Sequence, residues 1–344
     1  MHVALFAASR PHYRMAAAVA RLAEAHGAWR SLLLDALPLT VSRTLPALGS
    51  LRTLRTEATE AEIRELLRTE RPDALLVFGG GEAALAAGRA ALREDIALLH
   101  LEAGQRPDDA ALRDSHAFLD REALLRCCLA APQARTLEAE GMTEGVCVTG
   151  DALYDLFQEA CSGLDPAAAV ARRQLTASAF ALASLDGLWR HASPEDRETG
   201  LRQLAQWGGL TGMDILLLSD LPAPPATVPG VRLLPALPPQ ETLSLLCACR
   251  CLLTDSDSLQ REAFYAGKRA LVPAPSRPGQ LALPLECGWH KPASLHDPAA
   301  LAGLTAALDE PCPHPGLPEG SGRAVRRMVA AVMATLADRA DGLL

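Results

Sequence analysis

The 344 residues suffice for two domains of ordinary size, and 49% apolar content suffices for two cores. A formal charge of −8 excludes the broad basic face of a nucleic-acid binder, but leaves room for a local arginine cluster on a phosphorylated ligand. Aromatic residues, at 4%, are too few for sugar recognition built mainly on stacking.

The chain opens with a buried strand over Val3–Ala8, a turn Ser9-Arg10-Pro11-His12, and a helix from Tyr13 to His26 with Met15, Val19, Leu22 and Ala23 on one face. This is a Rossmann-type opening without a glycine fingerprint. Arg10 and Arg14 at its turn either hold a phosphate or are two solvated arginines. Trp29–Asp35 reads as a second strand and Thr56–Thr69 as a helix. Ala74–Phe78 is another strand, ending in Gly79-Gly80-Gly81-Glu82, where backbone can be approached closely. Ile96–Leu101 follows and ends in Glu102-Ala103-Gly104-Gln105-Arg106. That carboxylate and guanidinium are either site residues or a local ion pair at a helix entrance. A helix is expected over Arg113–Arg126 and a short strand over Cys128–Ala131.

An Ala-rich helical segment from Asp151 to Leu175, with a turn before Pro166, crosses to a second half that repeats the alternation. Strands are expected at Ala179–Ser184, Asp214–Leu218, Val231–Leu234, Leu252–Thr254 and Ala270–Pro273. Leu252-Leu253-Thr254-Asp255-Ser256 passes directly into a helix carrying Leu259, Ala263 and Ala266. Such a strand–turn–helix lies at the carboxyl edge of a parallel sheet, where free N–H groups attract an anion, although Ser and Asp are also ordinary helix caps.

Alternating strands and helices in both halves imply an α/β protein of two Rossmann-like, doubly wound domains facing across a cleft. The boundaries fall at 1–165, 166–322 and a C-terminal helix over 323–344 that packs back on the body. The nine cysteines show no pairing framework, and Cys247-x-Cys249-x-Cys251 lacks zinc-ligand spacing. Reduced thiols, no metal, no cofactor and a cytoplasmic setting are therefore expected. Met1–Ser9 reads as a strand rather than a signal peptide, and no apolar run is long enough to span a bilayer.

Several turns, taken in order from about Val3 to Gly288, resemble the UDP-N-acetylglucosamine 2-epimerase family, both hydrolysing and non-hydrolysing. They are Ser9-Arg10-Pro11 with Arg14-Met15, His100-Leu101-Glu102-Ala103-Gly104-Gln105-Arg106, Glu140-Gly141 and Val148-Thr149-Gly150-Asp151. Leu234-Pro235-Ala236-Leu237, Thr254-Asp255-Ser256 with Gln260 and Glu262-Ala263, and Ser276-Arg277-Pro278 complete the set. The resemblance implies the two-domain glycosyltransferase-B fold, a UDP-sugar substrate and a homodimer. It implies elimination of UDP from a UDP-N-acetylhexosamine and its re-addition, or hydrolysis, in nucleotide-sugar or surface-polysaccharide metabolism. Glu102 would be a catalytic carboxylate, with His116 and Glu82 as helpers. Arg10, Arg14, Arg106, Ser256, Ser258, Glu262 and Arg277 would hold the nucleotide sugar.

The chain also departs from that pattern. The family's Gly-Asp is Gly79-Gly80, and its Pro-Glu-Glu-x-Asn-Arg segment corresponds to Arg113–Phe118, where Asp114 or His116 could substitute. Its second-domain His-Arg pair corresponds to Asp186-Gly187, and the glycines of its Asp-Ser-Gly-Gly turn to Asp257-Ser258. A carboxylate at 257 would repel a diphosphate unless paired. These losses leave two alternatives beside the epimerase: glycosyl transfer from a nucleotide-sugar donor, or a non-catalytic homologue or partner subunit.

Overall fold

The computed structural model describes residues 1–37, 51–190, 192–221, 228–235, 237–273, 285, 287–317 and 322–342. The chain forms two compact units, Met1–Gln158 with Leu317–Leu344, and Glu159–Gly316.

The first unit is a parallel sheet of seven strands: β1 (His2–Ala7), β2 (Arg30–Asp35), β3 (Arg52–Arg55), β4 (Ala74–Phe78), β5 (Ala97–Ala103), β6 (Leu125–Cys128) and β7 (Val146–Val148). Their order is β3-β2-β1-β4-β5-β6-β7. The central strands are near-continuous apolar runs because a parallel sheet is covered on both faces. The helices are α1 (Arg10–Ala25), α2 (Glu60–Glu70), α3 (Glu82–Arg93), α4 (Ala110–Glu122), α5 (Ala131–Ala139) and α6 (Ala152–Cys161), the last running to the unit's boundary. Ala4, Phe6, Leu75 and Val77 of the strands pack with Ile63, Leu67 and Ala87 of the helices.

The second unit begins with α7 (Pro166–Arg172) and holds a parallel six-stranded sheet: β8 (Phe180–Ser184), β9 (Asp214–Leu218), β10 (Val231–Leu234), β11 (Cys251–Thr254), β12 (Ala270–Pro273) and β13 (Lys291–Ala293). The order is β10-β9-β8-β11-β12-β13. Its helices are α8 (Asp186–Trp189), α9 (Pro194–Thr211), α10 (Pro239–Ala248), α11 (Asp257–Tyr265) and α12 (Pro298–Ala307). Trp207 fills the centre of this core and donates its indole N–H to Thr305 Oγ1 at 3.0 Å. The last helix, α13 (Ala324–Ala340), belongs to the first unit, where it packs on α1 and β6. The N–H of Val325 at its start is accepted by Asp155 Oδ2 at 2.9 Å.

Four local differences from the sequence reading have physical causes. Helix α1 starts at Arg10, not Tyr13, because Ser9 caps it and Pro11 is tolerated in its first turn. This puts His12 on a helix rather than in a loop. Asp109 likewise starts α4 at Ala110, so the helix ends by Glu122 and the following strand lies at Leu125–Cys128 rather than Cys128–Ala131. The Asp151–Leu175 segment is two helices, with Asp165 capping the second at Pro166. Strands β3 and β13 are sheet edges with polar or proline-containing sequences, which the apolar-run criterion does not detect.

Candidate functional site

In each sheet the strand order reverses once, between β1 and β4 and between β8 and β11. The carboxyl ends of those strands flank the crevice where doubly wound folds bind ligands.

In the first unit this point is built from α1, the Gly79–Gly81 turn and the end of β5. Glu102 lies in β5 where its register with β6 shifts, and its φ is +62°. A left-handed conformation at a buried non-glycine residue costs about 1–3 kcal/mol and re-aims the side chain. The Glu102 side chain is 1% exposed, and Oε2 lies 3.3 Å from His12 Nε2. The His12 ring stacks on Phe78, centroids 5.9 Å apart at 25°. Gly79 makes this approach possible: a Cβ there would stand 3.1 Å from His12 Cε1 and 3.3 Å from Glu102 Oε2. Its peptide is fixed on both sides, the N–H donating to Leu101 C=O at 2.9 Å and the C=O facing His100 Nε2 at 2.9 Å.

The next residue explains one departure from the family pattern. A Cβ on Gly80 would lie 2.4 Å from His116 Cδ2 and 2.8 Å from Ser115 Oγ. The space for a side chain at position 80 is therefore filled from α4. Burial first, and then the neighbouring His100, hold the His116 imidazole down to about 3, so it is neutral at ordinary pH. Its Nδ1 is buried and has no hydrogen-bond partner among the described residues.

Behind these groups runs a buried polar network. His100 Nδ1 lies 2.7 Å from Asp120 Oδ1, and Asp120 also accepts the Gly104 N–H at 3.2 Å and Arg106 Nη1 at 2.6 Å. Burial opposes the Asp120 charge, but His100 and Arg106 prevail and keep its carboxyl below the usual range. Arg106 also reaches Glu140 through Nε at 2.7 Å and through Nη2 at 2.5 Å, and donates to Gln105 C=O at 2.6 Å. Four of its five N–H groups are thus engaged within the chain, and this guanidinium clamps the loop after β5. Gly104 has φ +79°, and a Cβ there would meet Gln133 C=O at 2.4 Å, so the Glu-Ala-Gly turn requires glycine.

The sequence-derived residues thus separate. Glu102 and His116 come together at the Gly79–Gly80 backbone, with Arg10 and Arg14 in the opening turns of α1, half-buried. Glu82 is exposed at the start of α3 and makes no hydrogen bond or ion pair among the described residues. Motif reading does not single out His12, Asp120 or the structural role of His100. Their only sequence signal is position, directly after Arg-Pro for His12 and one turn beyond His116 for Asp120.

In the second unit the same position is occupied differently. Asp255 follows β11 and accepts the Leu188 N–H of α8. Gly187 leaves room for it, since a Cβ there would lie 3.0 Å from Asp255 Oδ2. Asp186 accepts Ser219 Oγ and the Asp220 N–H, the latter at 2.8 Å. Burial first, and then Asp186, push the Asp255 carboxyl up to about 6. Ser256 is the cap of α11, accepting the Leu259 N–H at 3.4 Å, and its Oγ lies 3.1 Å from Ser258 Oγ. Asp257 is paired with Arg261 at 3.0 Å, so the repulsion expected of a bare carboxylate there is offset. Glu262 is buried in the same helix. Arg277 lies outside the described residues. Among the described residues no His, Cys, Asp and Glu cluster could hold a metal, and no helix is long and apolar enough to cross a membrane.

A family model for UDP-N-acetylglucosamine 2-epimerase matches residues 42–186. The chain also aligns with solved structures of such enzymes over 97–98% of its length. The Rickettsia bellii UDP-N-acetylglucosamine 2-epimerase aligns over 98% of both chains at 16% identity, with a TM-score of 0.81. The Methanocaldococcus jannaschii enzyme, in complex with UDP-GlcNAc and UDP, aligns over 97% of this chain and 100% of its own at 16% identity, with a TM-score of 0.80. The S. aureus MnaA–UDP structure aligns over 98% and 97% at 18% identity, with a TM-score of 0.80. At such identities the superpositions establish the fold, two doubly wound domains of the expected type. No curated protein matches the chain by sequence. The motif resemblance is borne out by the family model together with this fold.

Proposed function

We infer that this chain is a divergent member of the UDP-N-acetylglucosamine 2-epimerase family, and we propose that it inverts C2 of a UDP-N-acetylhexosamine. The observation that carries the reading is Glu102, a buried carboxylate held at a left-handed kink beside the imidazole of His12 and over the Gly79 backbone. Backbone strain of this kind persists where surrounding structure over-determines it, and it clusters at functional sites.

In this reading Glu102 takes the proton from C2. The C2–H electron pair forms a C1=C2 double bond, and the C1–O bond breaks with its pair on UDP. Re-addition re-forms C1–O while C2 is protonated on the other face. If water traps C1 instead, the products are UDP and free N-acetylmannosamine. Arg10 and Arg14 on α1 supply positive potential for the departing diphosphate. By the family resemblance, Ser256, Ser258, Glu262 and Arg277 are assigned to the nucleotide. Arg106 acts indirectly, by fixing the loop after Glu102. His116, neutral and packed on Gly80, shapes the pocket rather than donating a proton.

The remaining attributes follow the same reading. The family resemblance supports a homodimer and a place in surface-polysaccharide metabolism. The nine free cysteines fit a reducing, cytoplasmic compartment.

Function is tested by NMR of UDP-N-acetylglucosamine incubated with the protein in deuterated water. Deuterium at C2 with formation of the manno epimer, or release of N-acetylmannosamine, is expected. UDP release that requires an added acceptor would instead assign glycosyl transfer. No change in the sugar and no calorimetric binding of UDP at millimolar concentration would overturn the reading.

A further inference from the structure

Three histidines surround the Gly79–Gly80 backbone, and their environments sort them. His100 is fully buried, with Nδ1 on Asp120 and Nε2 on Gly79 C=O, so both nitrogens are committed. His116 is 3% exposed, and its Nδ1 is buried without a hydrogen-bond partner among the described residues, so it has no path to water. His12 differs from both: its side chain is 17% exposed, and its Nε2 lies 3.3 Å from Glu102 Oε2. Glu102 itself, at 1% exposure, has almost no direct access to water.

That contrast bears on a general demand of two-faced proton chemistry. When one group removes a proton from a carbon and another proton arrives on the opposite face, each turnover leaves the base protonated. It must be reset through solvent before the next cycle. A deeply buried carboxyl resets slowly unless a second group bridges it to water.

We propose that His12 is the proton relay of this site, carrying protons between the buried Glu102 carboxyl and water. The inference rests on the epimerase reading and adds a residue to which the family motifs assign no role. After elimination, Glu102 holds the former C2 proton. His12 Nε2 accepts it from Oε2 while the Nδ1–H is released to water, which leaves the imidazole neutral and the carboxylate regenerated. The proton released matches the one that C2 takes up on the other face, and His12 regains its starting tautomer when Nδ1 takes a proton from water and Nε2 gives its own up to water, so the cycle has no net proton change. His12 is well placed to carry protons, because Phe78 supports its ring, Ser9 Oγ accepts its backbone N–H at 3.3 Å, and Gly79 leaves the space in which it meets Glu102.

The experiment uses the full chain with UDP-N-acetylglucosamine, comparing wild type with His12→Gln and His12→Ala. Turnover in both variants is expected to fall about 10²-fold, the lower end for loss of a proton-transfer group, while UDP affinity by calorimetry stays within about twofold. Added imidazole should raise the His12→Ala rate in proportion to its concentration and leave the wild-type rate unchanged. A purely structural role would produce no such recovery. Wild-type turnover in His12→Gln overturns the relay, and so does a loss of rate in His12→Ala that imidazole does not restore. Absence of C2 exchange in the wild type is a different result: it removes the epimerase reading itself, and the relay with it.

Discussion

The two units share a topology and differ at the same place in it. At the β1/β4 reversal the first unit brings together side chains that can accept or pass a proton, Glu102 and His12, over a glycine backbone. At the β8/β11 reversal the second unit presents Asp186 and Asp255, both occupied in capping backbone N–H groups. Buried histidines differ as well, although His100 of the first unit is fully engaged. His290 in the second unit accepts the Ala270 N–H at Nδ1 and faces Gln260 C=O at Nε2, each at 3.0 Å. His116 in the first unit leaves Nδ1 without a partner among the described residues. A satisfied buried polar group serves the fold. An unsatisfied one, beside a strained carboxylate, is tolerated where a site gains from it.

The largest expected effect tests whether chemistry resides in the first unit. Glu102→Gln keeps the shape and removes the base, so C2 exchange should fall 10²–10⁴-fold with UDP binding little changed. Exchange followed by NMR and binding by calorimetry check both halves. Retention of full exchange would remove the distinction between the two crevices.

A second experiment examines how the first crevice tolerates its departures. Gly80→Ala pushes a methyl into the His116 ring, which should cost about 1–3 kcal/mol of stability in urea unfolding. Combining it with His116→Ala should recover part of that loss, because the two residues compete for one space. Additive costs would show that the positions are independent.

The smallest effect concerns the second unit. The Asp255 carboxyl is raised in the folded state, so its protonated form is favoured. Its contribution to stability is full below the ordinary carboxylate range and is lost as pH rises through about 6. Asp255→Asn keeps an acceptor for the Leu188 N–H and removes the charge. It should stabilise the protein by about 1–2 kcal/mol at pH 7 and by much less at pH 4, read from urea unfolding at both values. An equal effect at the two pH values would mean that the carboxylate is not destabilised by its surroundings.

The sequence by itself determined the alternation of strands and helices, because buried parallel strands are written as apolar runs that need no distant partner to recognise. It also determined Glu102 as a candidate, because a carboxylate directly after the apolar run Ile96–Leu101, in Glu102-Ala103-Gly104, is legible locally. Only the tertiary structure decided what surrounds Glu102. His12 is 90 residues earlier in the chain, and its approach depends on β1 lying beside β4 and on a bulge in β5. The tertiary structure likewise engages Arg106, a ligand candidate, in an internal clamp, because Asp120 and Glu140 converge on it from separate helix segments. It also paired Asp257 with Arg261. Residue type announces what chemistry a side chain can do, but which groups compete for it depends on contacts between strands and helices far apart in the chain.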